Sequence, residues 1–122
     1  MIYKIAHRGN IKGKIPEKEN KVSYILDAAK DYFVEIDVWF NDDEFWLGHD
    51  EPTERVDHSF LLNKRFFCHA KNIEALHEMM KRGIHCFWHE TDKVALTSKG
   101  FIWKYPEVYY EGSLWGVCSD YL

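Results

Sequence analysis

The sequence contains no apolar run approaching the ~18 residues that a membrane-spanning helix requires, so no helical membrane span is expected. Its first residues, Met1-Ile2-Tyr3-Lys4-Ile5, are too short for a signal peptide and carry no small-residue cleavage site. A cytoplasmic location is the expectation. Cysteine is scarce. Cys68, Cys86 and Cys118 are far apart, odd in number and form no CxxC pair, which argues against a disulfide framework or a zinc ribbon. Each lies in an apolar stretch and reads as a small buried residue. A basic surplus is also missing. The chain has 16 Lys and Arg against 20 Asp and Glu, a net charge of -4, whereas a general nucleic-acid binder is expected to be basic. There is no repeat, low-complexity tract or linker.

What is present is a globular composition, 46% hydrophobic and 16% aromatic in 122 residues. That is enough for one core and one domain, residues 1–122, and too little for two. Residues 2–6 read as a buried strand ending at His7, followed by a loop over 9–18. A helix is expected from Asn20 or Ser23 to about Tyr32, because Val22, Ile25, Leu26 and Ala29 recur at helical spacing. Residues 33–40 read as a strand, 41–43 as a turn, 44–47 as a returning strand and 51–57 as a polar loop. A strand over 65–69 precedes a helix capped by Asn72, with Ile73, Leu76, His77 and Met80 on one face and Gly83 as its stop. Short strands follow at 85–88, 94–96, 101–103 and 115–118, with almost no room for helices between them. Strand–helix–strand–helix–strand is the pattern of a parallel sheet, and such folds gather catalytic groups at the carboxyl ends of strands. His7, Asp37, Lys71 and Glu90 fall where expected strands end.

Four polar clusters punctuate the first fifty residues: Ile5-Ala6-His7-Arg8-Gly9, Glu19-Asn20, Glu35-Ile36-Asp37 and Gly48-His49-Asp50. Glu35 and Asp37 are two apart on an expected strand, so their carboxylates share a face. Such a pair is tolerable around a divalent cation, and oxygen ligation suits Mg²⁺ or Ca²⁺. A solvated edge, or neutralisation by Arg8 or Lys71, is the simpler alternative. His7 and His49 are candidates for proton transfer. His58, His77 and His85 read instead as core histidines. Arg8 and Lys71 offer positive charge to a phosphate.

This combination resembles the glycerophosphodiester phosphodiesterases, within the wider group of phosphatidylinositol-phospholipase-C-like phosphodiesterases. The order and spacing over residues 5–50 are similar to that family's first quarter. Lys71 looks like the lysine of its third strand, and Ser119-Asp120-Tyr121 like its closing motif. The resemblance implies a TIM-type (β/α) barrel and a small phosphodiester substrate, with a role in lipid metabolism. It makes His7 and His49 the acid/base pair, Glu35 and Asp37 metal ligands, and Arg8 and Lys71 the phosphate binders. The cation would be Mg²⁺ or Ca²⁺.

Three departures stand out. His69 occupies the place of a glutamate that usually supplies a further metal ligand. As an imidazole ligand it would favour a softer ion such as Mn²⁺ or Zn²⁺, unless Glu90 or Asp92 reaches in instead. The family's Pro-Glu-Asn is stretched to Pro16-Glu17-Lys18-Glu19-Asn20, so Glu17 or Glu19 fills its role. Finally, the chain is about half the ~250 residues of a typical TIM barrel. The expectation is therefore a compact α/β barrel with several outer helices shortened or missing. Bare strand faces, with five Trp and seven Tyr as material, predict a homo-oligomer. The aromatic stretch 101–110 is a candidate pocket wall, with Trp103 facing the alcohol, or else ordinary core. The alternatives to an enzyme are a catalytically silent barrel that binds a phosphate-bearing metabolite or a protein partner, and a sugar-phosphate or cyclic-phosphate module with a structural metal.

Overall fold

The computed structural model describes residues 3–106 and 115–122. Strand β1 (Tyr3–His7) leads to helix α1 (Val22–Ala28). Strands β2 (Phe33–Asn41), β3 (Glu44–Leu47) and β4 (Glu54–Val56) follow, then helix α2 (His58–Leu61), β5 (Phe66–Ala70) and helix α3 (Ile73–Lys81). The chain continues with β6 (Cys86–Phe87), β7 (Val94–Leu96), β8 (Ile102–Lys104) and β9 (Trp115–Ser119). Among the described residues these nine strands form one mixed sheet. Six of them, in the order β6-β5-β2-β1-β9-β8, pair in parallel. β3 runs antiparallel to the end of β2, β4 to β3, and β7 to β8.

The expected α/β barrel with shortened outer helices is thus overturned. The helices have only seven, four and nine residues, and β2, β3 and β4, like β6, β7 and β8, follow one another with no helix between them. The reason is local. Asp42 and Asp43 adopt φ of 52° and 62° between the paired residues Asn41 and Glu44. Two consecutive left-handed residues make the tight turn that suits a two-residue hairpin. β3 therefore folds straight back on β2, as the expected turn and returning strand imply, and antiparallel pairing of β4 with β3 and of β7 with β8 makes the sheet mixed. The stretch read as polar loop at 51–57 adds β4 to that hairpin.

The sheet has two unlike faces. Outward-pointing residues such as Val34, Ile36, Val38, Phe66 and Cys68 pack under the helices, against Ile25 and Ala28 of α1 and Ala75 and Met79 of α3. The other face curls on itself. Ile5, Phe67, Phe87, Trp103 and Cys118, from five strands, form one buried cluster, and the rings of Phe87 and Trp103 lie 4.7 Å apart. The curl is tied where Ser98 N–H donates to the Cys86 carbonyl at 2.8 Å and Cys86 N–H donates to Ser98 Oγ at 2.9 Å.

Because side chains alternate along a strand, the residue two positions on points into the same curl. Those positions hold His7 after Ile5, Glu35 and Asp37 after Phe33, His69 after Phe67, and Asp120 after Cys118. An apolar layer thus carries a polar layer at the carboxyl ends of the parallel strands.

Helix α3 turns a different side inward from the one expected. Ala75 and Met79 are buried, while Ile73 is 64% and Met80 55% exposed, and His77 faces solvent. Asn72 sets this phase. Its Oδ1 accepts from Ala75 N–H (3.0 Å) and Phe40 N–H, and its Nδ2 donates to the Phe40 carbonyl and to Asn41 Oδ1. Pinning the cap to β2 outweighs the apolar periodicity. His58 is exposed as well, whereas His85 is partly buried and bonded to Thr97. All three cysteines are buried and free.

Candidate active site

A cavity of about 600 Å³ opens above the polar layer. It is lined by His7, Arg8, Glu35, Asp37, His49, His69 and Lys71, every residue that the sequence singled out for catalysis, phosphate or metal, and by Glu19, Glu90 and Asp120. Those seven are spread over 65 positions of the chain, and four strands and their loops bring them together.

Glu35 and Asp37 lie on the floor, each 1% exposed. With His69 they form a buried trio whose ligand atoms all lie within 4.8 Å of one another. Asp37 Oδ1 is 2.9 Å from His69 Nδ1, and Glu35 Oε2 is 3.6 Å from the same nitrogen. Asn20 clamps Asp37 from the other side. Its Nδ2 donates to Asp37 Oδ2 (2.8 Å) while its Oδ1 accepts from Asp37 N–H (2.9 Å). Two buried carboxylates beside one imidazole match the donor set of a divalent-cation site.

His7 ends β1. Its Nδ1 is 2.9 Å from Asp120 Oδ1, and its ring stacks on Tyr105 at 4.1 Å. Asp120 also accepts from Asn10 Nδ2 (2.7 Å) and Tyr105 Oη (2.7 Å). A carboxylate on Nδ1 fixes the imidazole's orientation and leaves Nε2 for chemistry. His7 Nε2 lies 3.9 Å from Glu35 Oε1.

Arg8 bridges the acids. Its Nη1 donates to Glu19 Oε1 (3.0 Å) and its Nε sits 3.4 Å from Asp37 Oδ2. The Nε is buried and makes no hydrogen bond. Glu19, rather than Glu17, lies against the arginine and also accepts from Asn10 Nδ2. Arg8 and Asn20 both hold left-handed backbone conformations, φ 56° and 60°. For non-glycine residues this costs of order 1 kcal/mol each and persists where surrounding contacts enforce it, commonly at functional sites. Asn20 N–H donates to the Arg8 carbonyl, so the two strained residues brace one another.

The remaining candidates sit at the rim. Lys71 follows β5, and among the described residues its ammonium has no ion-pair partner. His49 is half-buried on the loop after β3, its Nδ1 2.8 Å from the exposed Asp50 carboxylate. Gly48 makes that loop possible. Its φ is +150°, and a Cβ there would overlap the Glu51 carbonyl. Glu90 lines the cavity but is exposed, and Asp92 does not line it. Trp103 is 1% exposed and packs against Phe87 and His89, and it also lines the cavity, so it belongs both to the core and to the cavity wall. The aromatic stretch beyond Pro106 lies outside the described residues.

Electrostatics follow from this packing. Burial works to raise the Asp37 carboxyl, but the hydrogen bond and charge of His69, with Arg8 and Asn20, hold it well below the usual carboxylate range. Burial works to lower His69, yet bonding to Asp37 and Glu35 pushes it up to about 9. His69 is thus an imidazolium at neutral pH. Burial opposes ionisation of Asp120 too, and bonds from His7, Asn10 and Tyr105 outweigh it, keeping the carboxyl well below its ordinary value. The Tyr105 phenol is raised, first by burial and then by Asp120.

Asn10, Asn20, Tyr105 and Asp120 were not assigned roles from sequence. For Asp120 a signal existed, because it stands two residues past Cys118, as Glu35 stands two past Phe33. Asn10 and Tyr105 act across 110 and 15 residues of chain, and nothing local marks them.

No family model, no curated protein and no solved structure matches this chain.

Proposed function

We propose that this protein is a metal-dependent phosphodiesterase acting on a small phosphodiester such as a glycerophosphodiester. One observation carries the reading: all seven residues chosen from sequence for acid/base, phosphate and metal roles line a single cavity. The resemblance of the motifs over residues 5–50, which rests on five of these seven residues, points to the same chemistry.

In this account Glu35, Asp37 and His69 would hold a divalent cation, Mg²⁺ or Ca²⁺, with Mn²⁺ accommodated by the imidazole. When bound, the ion would supply charge stabilisation to the phosphate and lower the pKa of an attacking hydroxyl or water. Arg8 and Lys71 bind the phosphate oxygens. Lys71 brings an ammonium with no acid partner among the described residues, while Arg8 is already shared between Glu19 and Asp37. His7, oriented by Asp120, takes the nucleophile's proton at Nε2. His49, steered by Asp50, delivers a proton to the departing alcohol.

One observation favours a second reading. Both ring nitrogens of His69 already have partners, Asp37 at Nδ1 and the His89 carbonyl at Nε2 (3.1 Å). The imidazolium, together with the Arg8 guanidinium beside Asp37, can therefore balance the acid pair without a cation. The cavity would then bind a phosphate-bearing metabolite without turnover.

Calorimetric titration with Mg²⁺, Ca²⁺ and Mn²⁺ separates the two. The enzyme reading predicts saturable binding that weakens at least tenfold in Asp37→Asn. Absence of binding by any of the three ions would favour the silent site.

A further inference from the structure

The structure assigns a second ligand site to this protein: a cavity at the far end of the curled sheet that takes a small amphipathic anion, with an acidic head and an apolar body. This inference does not rest on the phosphodiesterase reading.

The cavity measures about 430 Å³, within the range of small-molecule sites. Its lining comes from the turn before β5 (Asn63 and Lys64), the turn before β6 (Gly83 to His85) and the turn before β8 (Lys99 and Phe101). These are the amino ends of the parallel strands, whereas the candidate active site sits at their carboxyl ends. The two cavities share no lining residue.

Its chemistry is of one sign. Leu61 and Ile84, each 1% exposed, supply an apolar wall, and Leu62 stands 48% exposed beside them. Lys64 and Lys99 stand at the mouth, both exposed. No carboxylate lines the cavity, and neither ammonium has an ion-pair partner among the described residues.

His85 also lines the cavity. The Thr97 hydroxyl accepts from Phe101 N–H (3.1 Å) and lies 2.8 Å from His85 Nε2. The buried hydroxyl has no other acceptor among the described residues, so we assign it as the donor to Nε2. The imidazole's own proton is then on Nδ1, which has no protein acceptor among the described residues. Burial, then the charge of Lys99, holds the ring neutral, its pKa lowered to about 4. Two ammoniums and one N–H donor over an apolar wall complement a carboxylate or phosphate monoester joined to a short hydrocarbon. Unpaired cations facing a neutral apolar ligand would gain nothing.

The test is titration of the ¹⁵N-labelled full chain with octanoate and with octyl phosphate, followed by amide and His85 ring shifts. Acetate and 1-octanol serve as head-only and tail-only probes. The expected result is saturable shifts confined to residues 61–64, 83–85 and 99–101 with at least one of the two amphiphiles, and at least tenfold weaker binding of acetate and octanol. Lys64→Ala with Lys99→Ala should weaken that binding tenfold or more, and Leu62→Asp should do likewise. All three residues are exposed, so the variants should unfold at the parent's temperature. Equal binding of octanol, shifts centred on His7 and Lys71 instead, no binding of either amphiphile, or unchanged affinity in the double variant would each overturn the assignment.

Discussion

The two layers inside the curled sheet come from the same strands, two residues apart, and do opposite work. Ile5, Phe67, Phe87, Trp103 and Cys118 form a dry layer that closes the curl. His7, Glu35, Asp37, His69 and Asp120, one pleat further on, are also nearly buried. Their polar groups, however, are held by hydrogen bonds and opposite charges rather than by packing. Burial alone therefore does not distinguish core from site here. What distinguishes them is which way free energy is placed. The lower layer gains by excluding water. The upper layer pays desolvation and recovers it only through exact partners.

The comparison can be broken from either side. The largest effect should fall on catalysis. His7→Ala is expected to lower turnover by about 10²–10⁴-fold, the usual contribution of a general acid or base, and to unfold at a lower temperature than the parent, because buried Asp120 loses a partner. Asp120→Asn should reproduce part of that loss, because His7 loses its orienting carboxylate. Steady-state assay alongside circular dichroism checks both, and an active His7→Ala would remove that residue from the mechanism.

A change in the lower layer should reverse the pattern. Trp103→Ala empties a fully buried site and is expected to cost about 3–5 kcal/mol of stability. Denaturant unfolding measures it, and a loss under 1 kcal/mol would mean the curl is not closed by that layer.

The pH dependence sharpens the contrast next. His69 has a folded pKa near 9 against about 6.5 for a free imidazole. The metal-free protein therefore has the full His69 contribution below about pH 6.5 and loses it as pH rises through 9. Cation binding should show the opposite trend, strengthening as His69 is deprotonated and releasing a proton. On the acid side, His85 at about 4 gives stability that is present above pH 6.5 and lost as pH falls through 4. Unfolding scans from pH 3 to 10, with and without Mn²⁺, test these signs.

The smallest effect belongs to the helix that turned an unexpected face inward. Asn72→Ala should cost about 1 kcal/mol through loss of the cap, more if its links to Phe40 matter. Ile73→Ser, 64% exposed, should stay within about 0.5 kcal/mol. A larger loss at Ile73 would restore the apolar stripe read from sequence.

How much was legible in the sequence follows the same division. Period-two alternation is a local property, so Glu35 and Asp37 could be placed on one face from sequence, and the strand positions were close except for β4, read as polar loop. The architecture was not legible, because it depends on what each connection does. The strand–helix alternation looked like a parallel barrel, yet β4 extends the expected Asp42-Asp43 hairpin and β7 pairs antiparallel to β8, which makes the sheet mixed. The phase of α3 was misread for a related reason. Asn72 bonds to β2, thirty-odd residues away, and no periodicity count registers that tie. The acid and histidine positions announced themselves through clustered motifs. Their partners Asn10, Tyr105 and Asp120 become meaningful only once β9 lies beside β1.

The central claim is that the polar layer performs phosphodiester cleavage with a bound cation. The most direct measurement is release of p-nitrophenol from bis(p-nitrophenyl) phosphate, with Mg²⁺, Ca²⁺ or Mn²⁺ supplied in turn and EDTA as the control, in the parent and in His7→Ala. The account predicts turnover that needs one of these ions, stops with EDTA and is lost in His7→Ala. A folded parent inactive with every ion, or activity surviving in His7→Ala, would contradict it.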